Sequence, residues 1–457
     1  MQRATFTYTN SRRHELHCVE YAPPPGVKPR AALFLHHGIA EHIERYAPGA
    51  LRAKAVDGRV EAPDRLQSRV CVAIAVSELM SCATNSGPPA RVLHLHASKR
   101  ARAPRLSLAL LLTSRSRAPS ADPSHDAAQK NITRKVFSHW ASDHALAVYG
   151  YDCHGHGRSG PHGAHERVYV HRFGDLVDDF VDFVGHVTEE RLPRVAAGQG
   201  AGSAAAAPPP PPPSSPPPPA DAPPPLPRVL GGHSLGGLVA AHAVLRLAGP
   251  AGTAATPQST GVAGLVLHSA ALDVVWTPVL RALAGVGALL SALLPRARLV
   301  PAVKPEDMHP DPAVVREYLE DPHVIVGNTR ARTANEVLRG FRGLAGKEGL
   351  FDLPILAVHG AADATTSLEA VRRFCAGAAS AARGLVRLRE VEGGYHELMA
   401  APGEREREAE EVAAWIEGLP EVLKAGGGAL AAAAGAQQQQ QQQQATATAT
   451  ATPPSRL

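Results

Sequence analysis

Short apolar segments recur along the chain and alternate with longer segments of helical spacing. Several are apolar almost throughout, which is typical of strands buried on both faces of a parallel sheet. Alternating positions before residue 22 predict two more strands around an Asn-Ser turn. The predicted strands are 31–36, 146–151, 228–232, 264–268, 354–359 and 385–391, and the predicted helices are 172–190, 235–247, 368–382 and 404–423. This order predicts an α/β fold with a mostly parallel sheet.

Three segments interrupt this alternation. Residues 195–227 run through Ala and Gly into prolines, which form extended polyproline II and bury no core, so we expect a linker. Residues 425–457 have almost no charged or large apolar side chains and are expected to be a disordered tail. Residues 49–130 carry 13 Lys and Arg against six Asp and Glu. We interpret them as a poorly ordered basic insertion.

The insertion explains the charge of the whole chain. Its excess of seven positive charges exceeds the net charge of +5 of all 457 residues. Binding of nucleic acid or anionic lipid is the alternative interpretation of such a segment. The solvated insertion is favoured, and we expect no nucleic-acid partner.

Composition limits the class of protein further. The five cysteines are scattered without a C-x-x-C spacing, which indicates neither a disulfide framework nor a zinc site. The first 21 residues lack the apolar run of a signal peptide. The most apolar window, 272–294, contains Asp273, Pro278 and Arg281, whereas a spanning helix needs about 20 nearly uncharged residues. We therefore expect a cytoplasmic protein.

The strongest motif is the G-x-S-x-G sequence at residues 232–236. It lies between a predicted strand and a predicted helix, the context of a nucleophile elbow, in which small residues permit a sharp turn that pushes the serine outward. The motif alone occurs often by chance. Its context makes Ser234 a candidate nucleophile.

A nucleophilic serine needs a base and an acid that orients the base. In this class of fold the chain order is Ser, then Asp or Glu, then His. Asp363 and His396 follow two successive predicted strands, at the sheet edge where such folds build their sites. Taken singly, Asp363 is better explained as a turn or helix N-cap residue, and one His among 23 is uninformative. Their joint position favours a catalytic triad.

An acyl-transfer site also needs hydrogen-bond donors for the oxyanion. The N–H of Leu235, after the nucleophile, is one candidate, and the other is expected in a loop after an earlier strand. The strand 31–36 runs into His37, Gly38 and Ile39, so the Ile39 N–H is the second candidate. The alternative interpretation is that His36 and His37 are simply polar residues at the end of a strand. No metal or organic cofactor is needed for this chemistry.

Several motifs together resemble the monoacylglycerol lipase-like serine hydrolases, in particular the plant branch that includes caffeoylshikimate esterase and lysophospholipase-like proteins. They occur in family order and cover roughly residues 5–48, 131–194 and 228–422. The matching motifs are HGIAEH at 37–42 with Arg45-Tyr46, YDCHGHGRSG at 151–160, His162-Gly163, GHSLGG at 232–237, Asp321-Pro322, 330–338, 359–363 and Tyr395-His396.

The resemblance implies an eight-stranded α/β-hydrolase core, helices on both faces and a helical cap. It implies Ser234 as nucleophile, Asp363 as acid, His396 as base, and Ile39 and Leu235 as oxyanion donors. Asp152 and His156-Gly157 match a loop with a structural role. The predicted organisation is core (1–48), insertion (49–130), core (131–194), linker (195–227), core (228–268), cap (269–350), core (351–424) and tail (425–457).

The expected activity is hydrolysis of a carboxylic ester, with a monoacylglycerol or a lysophospholipid as the expected substrate. Residues 279–294 are apolar around most of a helical circumference. This pattern predicts either a lid that contacts a membrane surface peripherally or a helix buried against the core. Small phenolic esters are the alternative substrates. A pseudoenzyme or binding protein on the same fold, and a scaffold acting through its Pro-rich tract, are alternative functions.

Overall fold

The computed structural model describes residues 1–39, 41–43, 132–161, 163, 166–199, 226–301, 303–401 and 403–424. The predicted insertion, the predicted tail and most of the predicted linker lie outside these residues. Within them, the chain forms ten strands: β1 Gln2–Thr9, β2 Glu15–Ala22, β3 Ala31–His36, β4 Leu146–Tyr151, β5 Arg228–His233, β6 Gly264–His268, β7 Arg298–Val300, β8 Thr329–Arg330, β9 Ile355–Gly360 and β10 Val386–Val391.

Eight strands form one sheet in the order β1-β2-β4-β3-β5-β6-β9-β10. The hairpin β1-β2 is antiparallel and β2 pairs antiparallel with β4. The pairs from β4 to β10 are all parallel. Strands β7 and β8 pair separately. The six predicted strands and the N-terminal hairpin are confirmed, each to within a residue or two, although β10, at the edge of the sheet, has no buried residue.

The described residues form the following helices in chain order. They are α1 Ile132–Ser142, α2 Phe173–His186, α3 Leu192–Ala196, α4 Leu235–Ala248, α5 Pro257–Thr260, α6 Pro278–Leu293, α7 Pro305–Met308, α8 Pro312–Glu320, α9 Ala331–Leu344, α10 Leu368–Gly377 and α11 404–424. A π-helical turn, Val187–Arg191, joins α2 to α3, and a 3₁₀ turn, Ala379–Arg383, follows α10.

Two predicted helices end earlier than expected, and the helices α1, α3, α5, α7, α8 and α9 were not predicted individually. The predicted helix 172–190 gives way to the π-helical turn, and the predicted helix 368–382 ends where Ala378 is extended, at ψ 134°. No helix was predicted at α1. Val136, Phe137, Trp140 and Ala141 are nevertheless spaced on one helical stripe and are buried.

The core consists of two apolar clusters on opposite faces of the sheet. Alternate side chains of one strand enter different clusters, so that Tyr149 joins the first and Val148 the second. The first cluster includes Phe180 of α2 and Leu238 of α4. The second cluster includes Ile416 of α11 and residues of α1. The fold is therefore an α/β-hydrolase fold, with helices on both faces of a mostly parallel sheet.

The helical cap lies between β6 and β9 in the chain. It contains α6, β7, α7, α8, β8 and α9. Ser291 is the only buried residue of α6, and Val279, Val286, Leu289 and Leu293 of this helix are exposed. The prediction that this helix is buried against the core is therefore wrong, because most of its apolar surface faces outward.

Candidate active site

Ser234 lies in a strained turn between β5 and α4. Its φ of 54° and ψ of −122° form a conformation that a residue with a side chain adopts only when its surroundings enforce it. A Cβ on Gly232 would come within 2.2 Å of the Gly236 backbone, and a Cβ on Gly236 within 2.0 Å of the His36 carbonyl oxygen. Glycine is therefore required at both positions, which explains the small residues of the motif.

Asp363 and His396 are joined directly. The Oδ2 atom of Asp363 lies 2.8 Å from Nδ1 of His396, and both side chains are buried. Asp363 follows β9 and His396 follows β10. Because these strands are parallel neighbours, the two loops leave the sheet at the same edge.

Thr366 and Thr365 hold the carboxylate of Asp363 from the other side. Their backbone N–H groups donate to Oδ1 at 2.9 and 2.7 Å, and the Thr366 hydroxyl donates to Oδ2 at 2.6 Å. Burial by itself raises the pKa of Asp363, but His396 and hydrogen bonds from His359, His396 and Thr366 hold this pKa well below its usual value. The ionised carboxylate fixes the proton of His396 on Nδ1 and leaves Nε2 as the basic nitrogen.

The helix N-cap interpretation of Asp363 is wrong. The N-cap of α10 is Ser367, whose side chain accepts a hydrogen bond from the Ala370 N–H. Asp363 does organise the turn before it, through the two threonine N–H groups. The turn interpretation is thus correct and coexists with the contact to His396.

The loop after β3 packs against the Ser234 turn. A Cβ on Gly38 would lie 3.1 Å from the Ser234 Cβ. Ile39 is half-buried at the end of this loop, and Leu235 is buried as the first residue of α4, where N–H groups have no partner within the helix. The structure thus brings the segments that carry both predicted oxyanion donors next to the serine.

His37 fixes the orientation of this loop. Its Nε2 accepts the Cys153 N–H at 2.9 Å, so Nδ1 carries the proton and donates to the Gly38 carbonyl oxygen at 2.6 Å. Burial holds the pKa of His37 well below its usual value, which keeps the ring neutral. Since the N–H of Ile39 belongs to the same peptide plane as that carbonyl, His37 orients it too.

His233, inside the motif, was not predicted as a site residue. Its ring lies 4.9 Å from that of His396, and its Nδ1 lies 3.3 Å from Oε2 of Glu41. Its Nε2 lies 3.9 Å from Oε1 of Glu397. Burial lowers the pKa of His233 to about 4. His233 precedes Ser234, Glu397 follows His396, and Glu41 follows the loop after β3. This position next to predicted site residues is the signal in the sequence that could have indicated them.

Two further motif residues connect the site to its surroundings. His42 Nε2 lies 2.9 Å from Oδ2 of Asp321, which joins the Gly38 loop to the cap segment after α8. Asp152 accepts hydrogen bonds from the Ile43 and Arg158 N–H groups, both at 2.7 Å. These contacts hold loops in place and do not touch the serine turn.

The fold and the arrangement of this site define an α/β hydrolase. The sequence profile of the Hydrolase_4 family, described as serine aminopeptidase S33, matches residues 129–208 and 220–403, more than half of the chain. The chain therefore belongs to this family, which contains lipase- and esterase-type hydrolases.

Three relatives illustrate the similarity. A monoacylglycerol lipase of Mycolicibacterium smegmatis is 26% identical over 280 residues, covering 59% of this chain and 78% of the relative. The monoacylglycerol lipase of Paleococcus ferrophilus superposes with a TM-score of 0.51 and 16% identity, covering 88% of this chain and 99% of that one. A soluble variant of the Saccharomyces cerevisiae monoglyceride lipase, in complex with a substrate analog, superposes with a TM-score of 0.54 and 12% identity, covering 92% of this chain and 94% of that one. The two structures establish the shared fold.

Proposed function

We propose that the protein hydrolyses carboxylic esters through an acyl-enzyme on Ser234. The observation that carries this proposal is the buried hydrogen bond between Asp363 and His396, at the sheet edge where the strained Ser234 turn also lies. An ionised acid that fixes the tautomer of a histidine is what a serine nucleophile requires of its base.

The reaction proceeds in two halves. Nε2 of His396 takes the hydroxyl proton as Ser234 Oγ bonds to the ester carbonyl carbon, and the N–H groups of Ile39 and Leu235 bind the oxyanion. The tetrahedral intermediate collapses, and His396 gives its proton to the departing alcohol. Water then attacks the acyl-enzyme and loses a proton to His396. As this second tetrahedral intermediate collapses, His396 returns the proton to Ser234 Oγ and the carboxylic acid leaves. Every step uses groups of this chain.

The proposed substrate is a monoacylglycerol or a lysophospholipid. Exposed Val279, Val286, Leu289 and Leu293 along α6 support a cap that contacts a lipid surface with one face, where an amphiphilic ester is available. Monoacylglycerol lipases among the relatives support the same class. No helix of the described segments is long and apolar enough to cross a membrane. The cytoplasmic location stays a prediction.

Labelling by a fluorophosphonate probe tests the nucleophile. The parent protein should be labelled. Ser234→Ala should abolish labelling and lower the rate of ester hydrolysis by several orders of magnitude. Ser380→Ala, at a fully buried serine between α10 and β10, is the matched control and should keep both. A parent that is folded but unlabelled would indicate a pseudoenzyme or binding protein.

A side-by-side assay tests the substrate class. Rates on a monoacylglycerol, a lysophospholipid and a hydroxycinnamoyl ester should favour one of the first two. A higher kcat/KM for the hydroxycinnamoyl ester would replace the lipid proposal with the phenolic one.

Liposome flotation tests the contact of α6 with a lipid surface. Leu289→Gln combined with Leu293→Gln should reduce the bound fraction, because both side chains are exposed on α6. Val27→Gln, at an exposed valine between β2 and β3, is the control and should float like the parent. Equal flotation of all three proteins would exclude the membrane role of the cap.

A further inference from the structure

His233, His396 and Glu397 converge beside the serine turn. Each offers one ligand atom, and the three atoms lie within 4.8 Å of one another. The three residues come from the end of β5 and the loop after β10. Two imidazole nitrogens with one carboxylate are a donor set that zinc binds in proteins, with a fourth position left open.

The hydrogen bonds around His233 leave a nitrogen lone pair directed at a carboxylate. Nδ1 of His233 faces the carboxylate of Glu41 at 3.3 Å and therefore carries the ring proton. Nε2 then has only its lone pair, and it lies 3.9 Å from Oε1 of Glu397. Nε2 is buried and has no hydrogen-bond partner among the described residues. Two acceptors that face each other repel unless a cation lies between them.

Both histidines also have the outer partner that zinc-binding histidines usually have. A metal-bound imidazole typically donates its other N–H to a carboxylate, which fixes the ring and raises its basicity. Glu41 accepts from Nδ1 of His233, and Asp363 accepts from Nδ1 of His396 at 2.8 Å. Because Asp363 occupies Nδ1 of His396, the nitrogen left for a metal is Nε2.

We propose that His233, His396 and Glu397 form an inhibitory zinc site. The ion binds Nε2 of His396, the atom that takes the serine proton, so the bound protein cannot activate Ser234. Binding itself follows from the cluster alone, whereas the inhibitory effect rests on the proposed function. Removal of the ion by a chelator restores the free base.

Zinc titration by calorimetry tests binding without reference to activity. A second cluster near the surface, His139, His144 and Glu410, is first removed by the double change His139→Gln and His144→Gln. We expect this background protein to bind one Zn²⁺, and Glu397→Gln to weaken the affinity at least tenfold. Glu336→Gln, at a buried glutamate of α9 that hydrogen-bonds the Phe173 N–H, is the matched control and should leave it unchanged.

A second variant protects the test against misfolding. Glu41→Gln removes the carboxylate partner of His233 but no ligand, and it should weaken Zn²⁺ binding about 10–100-fold. Thermal melts identify any variant that does not fold. No Zn²⁺ binding in the background protein, or equal affinity in folded Glu397→Gln or Glu41→Gln, would overturn the proposal.

Probe labelling then tests inhibition. Zn²⁺ should block fluorophosphonate labelling of Ser234 in the background protein, and EDTA should restore it. If zinc binding depends on Glu397 but the metal-free protein is not labelled, the zinc site is supported and the serine hydrolase is refuted. Normal labelling at saturating Zn²⁺ would refute the inhibitory site and leave the hydrolase standing.

Discussion

Replacement of Asp363 by Asn tests the role of the hydrogen bond to His396. Oδ1 of Asp363 accepts two backbone N–H groups, from Thr365 and Thr366, while Oδ2 faces Nδ1 of His396. In Asp363→Asn, the amide oxygen must keep the position of Oδ1, because only an acceptor satisfies two donors there. The amide NH₂ group is thereby forced to face His396.

The consequence is a change of tautomer. An NH₂ group opposite Nδ1 requires that nitrogen to be an acceptor, so the ring proton moves to Nε2, which can no longer take the serine proton. By analogy with the same change in a serine protease, kcat should fall about 10⁴-fold. This factor corresponds to about 5 kcal/mol of transition-state stabilisation.

The assay compares kcat and KM of Asp363→Asn with those of the parent on one soluble ester. The fall should be in kcat, with labelling by the fluorophosphonate probe slowed in parallel. Asp352→Asn, at a partly exposed aspartate that pairs with Arg383, is the control and should stay within a factor of a few. A folded Asp363→Asn protein that retains more than a tenth of the parent kcat would refute the tautomer argument.

Three other predictions concern the oxyanion loop, the serine turn and the core. Ile39→Pro removes one proposed oxyanion donor and should lower kcat about 10²–10³-fold, measured beside a thermal melt. Gly236→Ala places a Cβ 2.0 Å from a backbone oxygen and should lower Tm markedly, whereas Gly285→Ala in α6, with open space around its Cβ, should raise stability slightly. Trp140→Phe removes the 2.8 Å hydrogen bond that the indole N–H donates to the Ala409 carbonyl oxygen and should cost about 1 kcal/mol of unfolding free energy in urea; an unchanged midpoint would contradict this.

Hydrophobic patterning was sufficient to predict the strands of the sheet. Five of the six strands, β3 to β6 and β9, are largely buried and apolar almost throughout, which few other short segments are. The sixth, β10, has no buried residue. Helix ends were predicted less well. The helix that begins at Leu368 ends at Gly377, not at residue 382, although Ala378 has a high helix propensity. Its backbone conformation is decided by packing and not by propensity.

The candidate site was predictable to the level of residues but not of geometry. Chain order and strand ends indicated Ser234, Asp363 and His396, because a parallel sheet brings all its loops of one kind to one edge. The 2.8 Å contact of Asp363 with His396 depends on β9 and β10 being neighbours. Strand order is a long-range property that no local pattern contains, which is also why the facing pair of His233 and Glu397 was missed.

The sequence by itself determined the strands, the sharp glycine-lined turn at Ser234 and the order of the candidate triad, since each follows from the chemistry of neighbouring residues. Tertiary structure alone decided that most of α6 faces outward, because a helix that is apolar on all sides fits a core and a lipid-facing lid equally well. It also decided the orientation of the Gly38–Ile39 peptide. His37 fixes this peptide, and the tautomer of His37 is set by the N–H of Cys153, 116 positions further along the chain. Such contacts form only when distant segments are packed together, and the physical chemistry of the site depends on them.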